Sequence, residues 1–258
     1  MDLGLRNKNV LITGGSKGIG LACARVFRDE GARVAIVSRS RENLDDARRV
    51  LGEAFTIAAD LTDAQAAAEM VERVEAEFGP LDVLVNSAGA ARMTPPDELT
   101  PEKWRAAMDA KYFTYINVID PLIRRMAARG DGAIVNIIGT GGKVPGRSHL
   151  AGGAANAALM LATAGLANTY AAQGVRVVGL SPGATNTERI AHGIQAEARR
   201  LGIGEQEALA HMVAPLPLGR FAEPEEIADI VAFAASPRGR YLTGTNITLD
   251  GAATPCVV

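Results

Sequence analysis

Thr13-Gly14-Gly15-Ser16-Lys17-Gly18-Ile19-Gly20 follows the short apolar run at residues 10–13 and leads into Leu21-Ala22-Cys23-Ala24-Arg25-Val26-Phe27, which is spaced as a helix. A strand, a glycine-rich turn and a helix in this order form a place where backbone can approach a pyrophosphate. The unpaired N–H groups and the positive end of the helix dipole then face the anion. Gly14, Ser16, Lys17, Gly18, Ile19 and Gly20 are the candidate contacts.

Working outward, further β-branched runs occur at residues 34–37, 55–58, 83–86, 134–138, 175–180 and 247–249, bounded by Gly, Asn or Asp. Between most of them lie longer segments with helical spacing, such as Met70-Val71-Val74-Phe78. Alternating strands and helices require crossover connections, which make the strands parallel and cover both sheet faces. The expected fold is therefore α/β, a single doubly wound Rossmann-type domain over residues 1–258 with about seven parallel strands and helices on both faces. Residues 188–218 break the alternation and end in Ala214-Pro215-Leu216-Pro217-Leu218, which reads as an insertion able to act as a substrate lid.

Composition narrows the partners. The 258 residues carry 27 Lys+Arg against 29 Asp+Glu, a formal charge of −2, with six Phe, four Tyr and one Trp. No basic block and few stacking surfaces argue against nucleic acid. Cys23 and Cys256 are too few for a disulfide framework, and His149, His192 and His211 lack metal-ligand spacing, so no metal is expected and a cytoplasmic location fits. The polar start and the lack of an apolar run near 20 residues predict no signal peptide and no membrane partner.

A dinucleotide site that prefers the 2′-hydroxyl form wants a carboxylate at the tip of the second strand. Ser38-Arg39-Ser40 stands there instead. With Arg39 and Lys17 able to converge on a 2′-phosphate, the expected cofactor is NADP(H).

Over essentially its whole length the chain resembles the short-chain dehydrogenase/reductase family. The resemblance rests on the glycine loop, Asp60-Leu61, Asn86-Ser87-Ala88-Gly89, Ser181-Pro182-Gly183 with Thr187, Pro224-Glu225-Glu226-Ile227-Ala228, Thr243-Gly244 and Asp250-Gly251. It implies that Asp60 and Leu61 hold the adenine and that Asn86, Ala88 and Gly89 flank the cofactor. Pro182, Gly183, Thr185 and Thr187 are implied at the nicotinamide carboxamide. It also implies a small-molecule substrate and a homotetramer or homodimer, paired through helices at about 102–129 and 149–173.

The family's catalytic pattern is not matched. Where the resemblance puts the proton-passing tyrosine and the lysine four residues on, the chain has Gly152 and Asn156; the serine position holds Gly139 and the relay asparagine position holds Lys111. The lysine and the asparagine look exchanged, so an ammonium at Lys111 and an amide at Asn156 are expected to share the pocket. His149 is a further candidate proton donor, by its ordinary pKa. The leading expectation is an NADP(H)-dependent oxidoreductase acting on a carbonyl or alcohol. The alternatives are an NADP(H)-binding protein without turnover and a non-redox enzyme that reuses the pocket.

Overall fold

The computed structural model describes residues 1–89 and 91–255; Cys256 lies outside them. Seven strands are described: β1 (Asn9–Thr13), β2 (Arg33–Ser38), β3 (Phe55–Ala58), β4 (Val83–Asn86), β5 (Gly132–Ile137), β6 (Val175–Pro182) and β7 (Asn246–Leu249). They form one sheet of order β3-β2-β1-β4-β5-β6-β7, and every neighbouring pair is parallel. The expected doubly wound α/β domain is the observed one. Strand ends differ from expectation by at most two residues.

Alternation along the strands feeds two cores. Val10, Ile12, Val34, Ile36, Val83 and Val85 face a core closed by helices α1 (Gly18–Asp29), α2 (Arg41–Leu51) and a late helix (Pro224–Ala235). Leu11, Ala35, Val37 and Leu84 face the other, closed by α3 (Ala64–Phe78), a helix at Thr114–Arg129 and one at Leu150–Tyr170. In chain order the helices after α3 are α4 (Pro101–Met108), α5 (Thr114–Arg129), α6 (Leu150–Tyr170), α7 (Glu188–Leu201), α8 (Glu205–Val213) and α9 (Pro224–Ala235).

The helix expected at about 102–129 is two helices joined by a π-helical turn at Asp109–Phe113, where Lys111 sits. Such wide turns shift the phase of the side chains that follow. Residues 150–173 correct the expectation of no long apolar run. Together with the turn that follows α6, Leu150–Gln173 is long and apolar enough to cross a membrane, because its alanines and leucines are interrupted by no charged side chain. Here that helix packs against β5 and β6 with Leu159 and Ala167 in the core.

A chain of buried polar side chains crosses the sheet. The Thr13 hydroxyl donates to Asn86 Oδ1 (3.3 Å), Asn86 Nδ2 to Asn136 Oδ1 (3.0 Å) and Asn136 Nδ2 to the Thr163 hydroxyl (3.0 Å). Thr13 Oγ1 also accepts from the backbone N–H groups of Ser87 and Ala88, each at 3.2 Å. Each buried polar group is thereby satisfied. The strand order reverses between β1 and β4, which opens a crevice at their carboxyl ends.

Candidate functional site

Two adjoining clefts occupy that crevice. One, of about 200 Å³, is lined by Gly14, Ser38, Arg39, Asp60, Leu61, Ala88 and Gly89 among others. The other, of about 520 Å³, runs from Gly14, Lys17, Gly18, Ile19 and Arg39 past Pro182, Gly183, Thr185 and Thr187 to Lys111 and Gly139. Arg39 and Gly14 line both. Asp60 is braced by the backbone N–H and hydroxyl of Thr62 (3.0 and 2.8 Å), and these bonds, more than nearby Arg39, hold its carboxyl below the ordinary range.

The glycine loop is built for close approach. Gly14 has φ +66°, and a Cβ there would lie 2.8 Å from the Ala88 backbone. A Cβ on Gly20 would collide with the Gly14 carbonyl oxygen, so the first turn of α1 rests directly on the loop. No side chain caps α1 and its first turn carries no acid, which leaves its N–H groups open toward the cleft. Ser16 is buried in the loop and Asn86 belongs to the polar chain behind it; neither lines a cleft.

At the far end the π-helical turn aims Lys111 inward. The residue is 8% exposed, and its Nζ donates to the Tyr115 hydroxyl (2.9 Å) and the Ile137 carbonyl (2.8 Å). The Tyr115 hydroxyl donates to the same carbonyl at 2.6 Å. Burial, with a smaller contribution from the Arg189 charge, lowers the Lys111 amine from 10.5 to about 7. Burial pushes the Tyr115 phenol up. Tyr115 thus serves as a neutral hydrogen-bond partner.

His149, at the start of α6, lays its imidazole over Gly152. A Cβ at 152 would collide with Cε1 and lie 2.5 Å from Nε2 and 2.8 Å from Nδ1. Nδ1 is buried and finds no hydrogen-bond partner among the described residues. Burial, then the charges of Arg189 and Lys111, lower the imidazole pKa. The Asn156 amide nitrogen lies 3.3 Å from where a Cβ of Gly139 would stand and 3.5 Å from that of Gly141. Gly139 has φ +121°, a conformation that strains any other residue. Lys111 lines the cleft; His149 and Asn156 stand behind the Gly139 to Gly141 segment.

Lys17 is engaged across the cleft rather than free. Its Nζ lies 3.0 Å from Glu188 Oε2, and Gly18 packs near Thr187, so α7 touches the glycine loop where the insertion begins. Sequence reasoning did not single out Arg189, which lines the larger cleft, because one arginine at the head of a helix has no signature. The geometry offers an anion-receiving end at Gly14, Gly18 and Arg39, and a proton-holding end at Lys111.

A family model described as enoyl-(acyl carrier protein) reductase matches residues 14–254. The chain is similar to cis-4-hydroxycyclohexanecarboxylate dehydrogenase of Sinomonas cyclohexanicum, 35% identical over 249 residues, covering 95% of each chain. Galactitol 2-dehydrogenase (L-tagatose-forming) of Cereibacter sphaeroides is 36% identical, covering 94% of this chain and 93% of the relative. L-sorbose reductase from Gluconobacter frateurii, solved with NADPH and L-sorbose, superimposes with a TM-score of 0.94 at 30% identity over 100% of both chains. With a parallel sheet in this order, a glycine loop at its switch point and relatives aligned from end to end, the chain belongs to the short-chain dehydrogenase/reductase family.

Proposed function

We propose that this protein is an NADP(H)-dependent oxidoreductase of the family that interconverts a carbonyl and an alcohol, with proton-handling residues that depart from the family's pattern. The observation that carries the reading is the continuous lining from Arg39 and the glycine loop to buried Lys111. Relatives named for alcohol or carbonyl substrates, and one solved with NADPH, support it.

The residues present fit the cofactor. The uncapped head of α1 with Gly14, Gly18 and Ile19 would receive the diphosphate. Arg39 and Ser38 would receive the 2′-phosphate, and no strand-tip carboxylate repels it. Asp60 and Leu61 would hold the adenine; Pro182, Gly183, Thr185 and Thr187 would hold the nicotinamide end. When bound, NADPH supplies the hydride.

The chain must supply the proton that reaches the carbonyl oxygen. An amine poised near 7 is matched to that task, and Lys111 is the described lysine with such a value on the cleft wall. Tyr115 and the Ile137 carbonyl fix its direction. Asn156 and His149 fill the space beside Gly139 and Gly152 that the family pattern gives to serine, tyrosine and lysine. Residues 188–218 would act as the lid, whose first residues Glu188, Arg189 and Ile190 line the cleft.

Calorimetric titration tests the cofactor assignment. NADPH should bind about tenfold to a hundredfold tighter than NADH, a gap that Arg39→Ala removes. Loss of reduced-nicotinamide absorbance with a panel of ketones and aldehydes should accompany binding. Tight NADPH binding with no turnover across the panel overturns the redox assignment; equal or tighter NADH binding overturns the cofactor assignment.

A further inference from the structure

The larger cleft is lined by four cationic side chains, Lys17, Arg39, Lys111 and Arg189, and one carboxylate, Glu188. Glu188 is committed to Lys17. Successive residues of an α-helix are turned by about 100°, so with Glu188 aimed at the glycine loop, Arg189 is directed elsewhere. Arg189 lines the same cleft as Lys111 and Gly139, and its charge adds to the burial that lowers the Lys111 amine. Among the described residues Arg189 has no ion-pair partner.

The cofactor's 2′-phosphate belongs under Arg39 and its diphosphate under the head of α1, and its oxidised ring is itself cationic. Arg189 and Lys111 would therefore crowd like charges around that ring unless a further anion enters. From this placement we infer that the substrate carries a carboxylate and that Arg189 binds it. Arg189 is then a specificity residue. This rests on the oxidoreductase reading for the identity of the cleft, and it adds the substrate class. A planar guanidinium pairs with a carboxylate through two parallel hydrogen bonds, which orients the rest of the molecule toward Lys111.

Two measurements test it. With NADPH, kcat/KM for oxo-carboxylates with two to six carbons between the groups should exceed that for their methyl esters by about tenfold or more in some member of the series. Arg189→Met should bring the ratio of acid to ester kcat/KM down to about one, and Arg189→Lys should keep part of the preference. Separately, benzoate should bind the NADP⁺-loaded protein in calorimetry, more weakly by about tenfold in Arg189→Met, while benzamide is indifferent to the substitution. Equal handling of acids and esters, or benzoate binding unchanged by Arg189→Met, overturns the inference. Absence of turnover on every carbonyl tested would sink the oxidoreductase reading instead, and the benzoate titration would still decide Arg189.

Discussion

The imidazole of His149 fills the space above Gly152, so closely that position 152 can hold no side chain while the histidine stays where it is. Introducing a tyrosine by Gly152→Tyr should therefore destabilise the fold by about 1–3 kcal/mol through overpacking. In the double variant with His149→Ala that cost should shrink, because the ring has room. Denaturant unfolding of the two single variants and the double variant gives the coupling. Strict additivity would show that the two residues do not compete for space.

The buried amine of Lys111 makes stability, and the turnover proposed for it, depend on pH. Its amine sits at about 7 in the folded chain against an ordinary 10.5, so between those values the unfolded chain holds the extra proton and stability climbs as pH rises. Lys111→Met should be more stable than the parent at pH 6, by about 1–4 kcal/mol, and the gap should close toward pH 10.5. The Tyr115 hydroxyl keeps its bond to Ile137 in that variant. Turnover should fall about a hundredfold or more, with NADPH affinity retained. Parallel stability curves for parent and variant would mean that the amine is not depressed.

Glu188 restrains Lys17 across the mouth of the cleft, at 3.0 Å, with both side chains largely in solvent. Exposed pairs contribute little to stability, so Glu188→Gln should shift the melting midpoint by no more than about 2 °C. Freed Lys17 should tighten NADPH binding about twofold to fivefold, an effect that fades in salt. Unchanged affinity at low salt would remove Lys17 from the phosphate site.

Leu161 is 77% exposed on α6, and Phe113 at the end of the π-helical turn is 41% exposed. An apolar face of this kind on a long helix suits a second copy of the chain. Leu161→Arg should leave the melting curve of the isolated chain intact but halve the mass seen in light scattering. A monomeric parent protein would refute self-association through this helix.

The fold was legible because parallel strands buried on both faces write themselves as apolar runs, and because Gly14 to Gly20 could serve only a tight turn beneath a helix. Most cofactor-contact candidates line the two clefts for the same reason: they sit at strand ends, where a residue's position in the chain dictates its position in space. The proton-holding end was harder. Whether Lys111 points inward depends on the wide turn at Asp109–Phe113, which changes helical phase and leaves no pattern in the residues. The resting place of His149 is set by a side chain that Gly152 lacks. The Lys17–Glu188 pair joins residues 171 apart in the chain, and nothing local announces it.

The line of two hydroxyls and two amides from Thr13 through Asn86 and Asn136 to Thr163 binds the glycine turn to the helix that holds Asn156 and Gly152. Pulling out any link strands a dry polar neighbour, so the proposed nucleotide cradle and reaction chamber would stand or collapse in concert. Neither half can drift independently while the other keeps its shape.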